Sequence, residues 1–204
     1  EVKGDEFART LILKEPGGAL KELAADAFFV EMALIPNSQM VAGLVDLDEE
    51  GRIKVDCSAR SSVPGIFAAG DVCSSHRSRH AAEAMARLVV ENALFAGRRR
   101  LSDLVIPRCA HTDPQVVQTG LTCQQAAQRG IRLDTYSVPF HLVDRAIIDA
   151  EDNGLLKIHT HKGTGRIAGA TIVARQAAEM IGEIVLAMTH GLGLDRLAET
   201  LHPY

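Results

Sequence analysis

The feature that most constrains this chain is a short apolar run that ends in Gly-Asp and feeds a long apolar helix. Ile66 to Ala69, bracketed by Pro64-Gly65 and Gly70, reads as a buried strand. A helix is predicted over about residues 79–96, with polar Glu83, Arg87 and Glu91 four apart on one stripe. Alanine, leucine, valine and phenylalanine cover the rest of its surface, so it is expected to be largely enclosed, with Gly97 as its C′ residue. Strand and enclosed helix together read as the tail of a parallel α/β unit.

The residues before it read as strands and turns. Phe7 to Leu13 is predicted as a strand, broken by Glu15-Pro16-Gly17-Gly18. Ala27 to Val30 reads as a buried parallel strand, and Arg52 to Asp56 alternates polar and apolar like a half-buried one. After the run Arg98-Arg99-Arg100, Pro107 marks a domain boundary and the pattern changes. Val116-Val117 follow a turn at Thr112-Asp113-Pro114, and Thr122 is placed to cap a helix through Gln128. Strands are predicted over 133–140, 155–161 and 166–174, with a fourth near 146–150. Asn153-Gly154 and Gly163-Thr164-Gly165 read as hairpin turns, so this part is an antiparallel α+β layer closed by an amphipathic helix from Ala177 to His190.

Composition removes several function classes. The 204 residues carry a formal net charge of −4, which gives no basic surface for nucleic acid or anionic membrane. The apolar runs are too short to span a membrane, and no basic n-region with an apolar stretch follows Glu1, so a cytoplasmic location is expected. Cys57, Cys73, Cys109 and Cys123 lie 16, 36 and 14 residues apart, with no C-x-x-C, and read as reduced thiols.

Val63-Pro64-Gly65-Ile66-Phe67-Ala68-Ala69-Gly70-Asp71-Val72 carries the chemistry. Glycine lets a ligand approach the backbone, and aspartate offers a carboxylate to a sugar or polyol hydroxyl; the alternative is an aspartate that caps the next turn. These ten residues resemble the second flavin-binding motif of the pyridine-nucleotide–disulfide oxidoreductases. Asp26 to Asn37 is similar to the end of that family's nucleotide domain, and His80-Ala81-Ala82-Glu83 to the start of the helix beneath the flavin ring. His111 to Leu121, Gly154 to Ile158, Gly165 to Ala170 and Ala177 to Ile181 resemble its interface domain, in the same order.

The resemblance implies an α/β remnant of a nucleotide- and FAD-binding domain followed by an α+β dimerisation domain with an antiparallel sheet. It places the end of an NAD(P)-binding domain at 1–40, the closing part of the FAD-binding domain at 41–104 and the dimerisation domain at 105–204. Gly70 and Asp71 would meet the ribityl or phosphate side of FAD, and His80 and Ala81 the isoalloxazine through backbone groups. A homodimer through residues 107–204 is implied, each site borrowing the partner's C-terminal residues. NAD(P)H would be the electron donor.

The sequence also departs from the family. It has no G-x-G-x-x-G turn and no C-x-x-x-x-C pair, and Ala33 stands where many members have glycine. A missing N-terminal portion carrying the phosphate turns is therefore implied as a partner, with flavin held weakly or not at all by this chain alone. At the C-terminus Tyr204 takes the position of the family's histidine base, as in mercuric-reductase-like members, and His202 lies two residues before it. The alternative is packing at an interface for both, and for the whole chain a stand-alone dimerisation module that never meets flavin. No metal site is expected: His159-x-His161 offers two imidazoles on what reads as a solvated sheet face. Cys73 reads as a small buried hydrophobe, His190 as a helix-end residue and the arginine run as a solvated loop.

Overall fold

In the computed structural model the described residues are 2–4, 8–15, 17–24 and 36–202. The chain divides into two compact units, Glu1–Ile35 and Pro36–Tyr204. In the first, β1 (Val2–Gly4), β2 (Ala8–Lys14) and β3 (Leu20–Ala24) form an antiparallel sheet in that order. The predicted strand at 7–13 is β2, and the turn at Gly17-Gly18 returns the chain into β3. The described strands of this unit are thus antiparallel; the parallel strand expected at 27–30 lies outside the described residues.

The second unit opens with loops gathered around Val45, Ile53 and Ala68, a small buried cluster. The strands predicted at 52–56 and 66–69 reduce here to isolated bridges, Leu47 with Ile53 and Arg60 with Phe67. Their hydrogen bonds are local: Ala68 donates to Ala59 O, and Ser61 donates to Ile66 O. Ile66 and Phe67 stay half-buried because no longer strand among the described residues flanks them.

Helix α1 (Arg79–Leu94) follows. Only the stripe Ala81, Met85, Leu88 and Asn92 is buried, while Val90, Leu94 and the following Phe95 are exposed, so the enclosure expected from sequence is not present. Its C-terminus also differs from expectation. Ala96 takes the left-handed conformation (φ 53°), and Gly97 comes one residue later, where its N–H reaches Glu91 O at 3.1 Å. Gly97 is fitted there by space: a Cβ would sit 2.9 Å from Asn92 Oδ1 and from Glu91 O.

From Arg108 the chain builds a five-stranded antiparallel sheet ordered β4-β5-β8-β7-β6. Its strands are β4 (Arg108–Ala110), β5 (Gln115–Gly120), β6 (Leu133–Pro139), β7 (Leu155–His161) and β8 (Ile167–Ala174). The predicted strands at 133–140, 155–161 and 166–174 are β6, β7 and β8, and Gly163-Thr164-Gly165 closes the β7–β8 hairpin. The helix α2 (Cys123–Gln128) has the expected cap: Gln125 N–H donates to Thr122 Oγ1, and Thr122 N–H donates to Gln125 Oε1.

The fourth strand expected near 146–150 is instead a helix, α3 (Asp144–Ile148). An Arg145–Asp149 ion pair at 2.8 Å spans one turn, Asp144 favours the N-terminus, and Ala150 (φ 54°) ends it. Asn153-Gly154 therefore links α3 to β7 rather than closing a hairpin. Helix α4 (Ala177–Thr189) packs across β5 and β8, and a short α5 (Leu194–Glu199), unforeseen from sequence, follows. Ala177, Ile181, Ile184 and Ala187 of α4 meet Val117, Ile158, Ala170 and Ile172 of the sheet in the main core. Rows such as Val117, Ile172, Leu156 and Val138 run across four strands, so β6 at the edge shares the face that α4 only partly covers.

Candidate functional site

Three segments of the second unit meet around the first turn of α1. Gly70 is buried with φ 81°, and a Cβ there would lie 3.1 Å from Ala82 Cβ, so only glycine lets this turn close on the helix without strain. Gly70 O accepts from Cys73 N–H at 3.1 Å, which folds the chain into a turn and leaves Asp71 exposed at its tip. Asp71 makes no hydrogen bond or ion pair among the described residues, so it does not cap the turn.

Ser78 is the N-cap of α1, a role sequence reading did not assign although a serine directly before the first helical residue signals it. Its Oγ accepts from Ala81 N–H at 3.4 Å, and its carbonyl accepts from Ala82 N–H at 3.0 Å. Ala81 itself is fully buried. The backbone N–H groups of Arg79 and His80 have no acceptor among the described residues, so the positive end of the helix stays partly open. The His80 ring turns the other way: its Nε2 lies 2.8 Å from Pro107 O and 3.2 Å from Ser78 Oγ. Arg108 reaches His76 Nδ1 at 3.3 Å beside it. Two histidines thus tie the approach to α1 to the first residues of the β4–β8 sheet domain. Burial and the Arg108 charge hold His76 below its ordinary pKa, which keeps it neutral as the guanidinium's acceptor.

Of the two C-terminal candidates only His202 is among the described residues. His202 Nε2 sits 2.8 Å from Glu183 Oε1 of α4, a partner nineteen residues back that no local pattern reveals. Tyr204 lies outside the described residues. The arginine run is more structured than a solvated loop: buried Asn92 donates to Arg99 O at 2.8 Å and accepts from Arg99 N–H at 3.1 Å. Arg100 has its pKa raised by a hydrogen bond with the exposed Cys57 thiol.

His159 is also corrected. It is 3% exposed rather than solvated, because α2 places Cys123 over it and Thr135 lies beside it. Thr135 Oγ1 is 2.9 Å from Nδ1, and Cys123 Sγ is 3.7 Å from both ring nitrogens, which puts the sulfur over the ring face rather than in line with a lone pair. Burial and Lys157 lower its pKa, so the ring is neutral. Cys73 is half-buried, and desolvation pushes its thiol up to about 11. No group of three or more metal-ligating side chains occurs among the described residues. No described helix is long and apolar enough to cross a membrane.

Comparison with known proteins gives this geometry a context. The family described as pyridine nucleotide-disulphide oxidoreductase matches residues 1–86, and its dimerisation domain matches residues 106–204. A mercuric reductase of Streptomyces lividans is 35% identical over 160 residues, covering 78% of this chain and 34% of that protein. A dihydrolipoyl dehydrogenase of Thermus scotoductus is 30% identical over 206 residues, covering 99% of this chain and 44% of that protein. The chain thus spans between a third and a half of the length of these relatives. Among solved structures, the HOCl-induced flavoprotein disulfide reductase RclA of Escherichia coli superposes with a TM-score of 0.80 at 21% identity, over 100% of this chain and 47% of that one. LpdA of Mycobacterium tuberculosis gives 0.81 at 23% identity, over 95% and 42% of the two chains. With two family matches in chain order and an antiparallel sheet domain under the second, the chain belongs to the pyridine nucleotide-disulphide oxidoreductases.

Proposed function

We propose that this chain supplies the dimer interface and one wall of the flavin site of an FAD-dependent NAD(P)H oxidoreductase of the mercuric reductase and dihydrolipoyl dehydrogenase kind. The observation that carries this is the exposed, unclaimed Asp71 carboxylate at a Gly70 turn packed on the first turn of α1. A carboxylate acceptor, a glycine backbone with no side chain and the open N–H groups of Arg79 and His80 suit a ribityl–phosphate chain and an electron-rich ring edge. FAD, when bound, supplies the two-electron chemistry between NAD(P)H and an acceptor.

This chain's own residues would do the holding. Asp71 accepts from hydroxyl groups, Gly70 admits the ligand, and the open N–H groups of Arg79 and His80 meet developing negative charge, while the Ala81 amide expected from sequence is held by Ser78 Oγ. Residues 1–40 are assigned to the end of the NAD(P)-binding domain, 41–104 to the FAD-binding domain and 105–204 to the dimerisation domain, which pairs two copies through residues 107–204 in the cytoplasm. His202, held by Glu183, and Tyr204 would be presented to the partner's site. The pyrophosphate contacts are assigned to a polypeptide carrying the Gly-x-Gly-x-x-Gly turns, without which the chain holds FAD weakly or not at all.

The test is Asp71→Ala in the chain co-expressed with such a polypeptide. Flavin content after gel filtration is expected to fall at least tenfold while circular dichroism stays unchanged. Full flavin retention by the variant would contradict the assignment.

A further inference from the structure

Asn153-Gly154 lies in the link between α3 and β7, and neither the proposed flavin site nor a hairpin accounts for the pair. The glycine has a steric reason to be there. Gly154 takes φ 153°, a backbone conformation that side chains rarely adopt, and a Cβ on it would collide with Val173 O. Its carbonyl accepts from Phe140 N–H at 3.1 Å, which fixes the start of β7 beside the buried Phe140. No such reason holds for the asparagine. Asn153 is exposed, and its side chain makes no hydrogen bond among the described residues. The Gly154 N–H likewise has no acceptor among them.

Together these are the conditions for an internal reaction. The main-chain nitrogen that follows an asparagine closes a five-membered ring when it attacks the side-chain carbonyl carbon. The attack needs a side chain free to rotate, an N–H not held by another acceptor, and no bulk on the following residue; asparagine is a thermolabile residue on this account. The bond from Gly154 N to Asn153 Cγ forms, the Cγ–Nδ2 bond breaks, and ammonia leaves with the amide proton. Water then opens the succinimide at one of its two carbonyls. Opening at Cγ leaves aspartate; opening at the main-chain carbonyl leaves isoaspartate, with the chain running through Cβ and Cγ. No oxidant, reductant or bound group takes part.

We propose that Asn153-Gly154 is a self-modification site of the folded protein, which converts with time to aspartate and isoaspartate. The other two asparagines are placed otherwise. Asn92 is buried with its amide donating to Arg99 O, and Asn37 is followed by Ser38, which is buried and carries a side chain. Both products add a negative charge beside Asp152 and the Glu151–Arg175 pair. Isoaspartate also lengthens the main chain by one carbon directly before Gly154, which draws Gly154 O away from Phe140 N–H and loosens the start of β7.

The test ages the purified chain and its Asn153→Gln variant at mildly alkaline pH, folded and in guanidinium chloride. Glutamine keeps the amide but would need a six-membered ring, and position 153 is exposed, so the variant folds as the wild type does. Peptide mass spectrometry reads amide turned to acid at each asparagine, and an isoaspartyl O-methyltransferase with labelled methyl donor counts isoaspartate. In the folded chain Asn153 is expected to convert at least tenfold faster than Asn37 and Asn92, and within tenfold of its rate in the denatured chain. Methyl labelling is expected to be lost in Asn153→Gln. A folded-state rate more than tenfold below the denatured one, a lead over Asn37 of less than tenfold, or labelling that survives in Asn153→Gln overturns the site. Aged wild type is expected to melt below aged Asn153→Gln; equal midpoints overturn the consequence at Phe140 and leave the modification standing.

Discussion

Asn92 gives the sharpest energetic test of how α1 is held. Its side chain is 7% exposed in an otherwise apolar stripe, and it makes two hydrogen bonds to one residue, Arg99, whose N–H and C=O the helix cannot otherwise reach. Asn92→Ala removes both bonds and leaves a small void. Two lost bonds at about 1 kcal/mol each, with partial rehydration of the exposed Arg99 backbone, give a cost of about 2–3 kcal/mol. For a chain of this size that is a fall in melting temperature of roughly 4–12 °C. Asn92→Asp separates bonding from packing. The shape is kept, but an ionised carboxylate faces Arg99 O and cannot donate to it, so a similar loss is expected at pH 7. Protonation returns the donor, so the deficit of Asn92→Asp against wild type should shrink as pH falls, while that of Asn92→Ala stays level. Urea denaturation followed by far-ultraviolet circular dichroism between about pH 3.5 and 8, which spans the carboxylate's ordinary pKa of about 3.9 and the range above it, reads both effects. A cost for Asn92→Ala below about 0.5 kcal/mol, or parallel pH profiles for the two variants, would refute the reasoning.

Three further outcomes are expected. Thr119 Oγ1 is buried at 0% exposure without a hydrogen-bond partner in the α4-covered core, so Thr119→Val should stabilise by about 1 kcal/mol and raise the urea midpoint; a lower midpoint would mean the hydroxyl has a role there. The Cys73 thiol, raised to about 11 by burial, should alkylate far more slowly at pH 8 than the exposed Cys57 and Cys123 and accelerate about tenfold per pH unit, as read by peptide mass spectrometry; labelling at equal rates would show it unburied. His159 has a lowered pKa in the fold, so below its ordinary value of about 6.5 the unfolded chain takes up the proton first. Its contribution is complete above that pH and is lost as pH falls through the window beneath it; His159→Gln should flatten the acid side of the stability profile, and an unchanged slope would place the loss elsewhere.

How much of this was legible in the sequence follows the range of the interactions. The sheet domain was: Leu155 to His161 and Ile167 to Ala174 are strand-length runs, and the Gly163-Thr164-Gly165 turn between them pairs them as an antiparallel hairpin. The error at Ala146 to Ala150 arose because Ala-Ile-Ile fits a strand or a helix equally, and the Arg145–Asp149 pair decides it. The three-residue β4 has no periodicity to find. Of the site, Gly70 and Asp71 could be singled out from the chain, since a glycine-aspartate turn before a helix is a local pattern. The contacts that set its shape could not: His80 with Pro107, Asn92 with Arg99, and His202 with Glu183 join residues 27, 7 and 19 positions apart. His159 was misjudged for the same reason, because the element that buries it, α2, lies 36 residues away at Cys123. The predicted enclosure of α1 was a sound inference from an apolar surface, and Val90, Leu94 and Phe95 nonetheless face outward in this chain.

The proposed function takes that outward face and the unclaimed Asp71 as part of a flavin site completed by other sequence. The most direct test is the visible absorption spectrum of the purified chain after incubation with excess FAD and gel filtration, alone and with a co-expressed polypeptide bearing the Gly-x-Gly-x-x-Gly turns. A flavin band is expected in the reconstituted sample and little or none with the chain alone. A band of equal strength in both would show that the pyrophosphate needs no outside contact, and no band in either would remove flavin from the account and leave a dimerisation module.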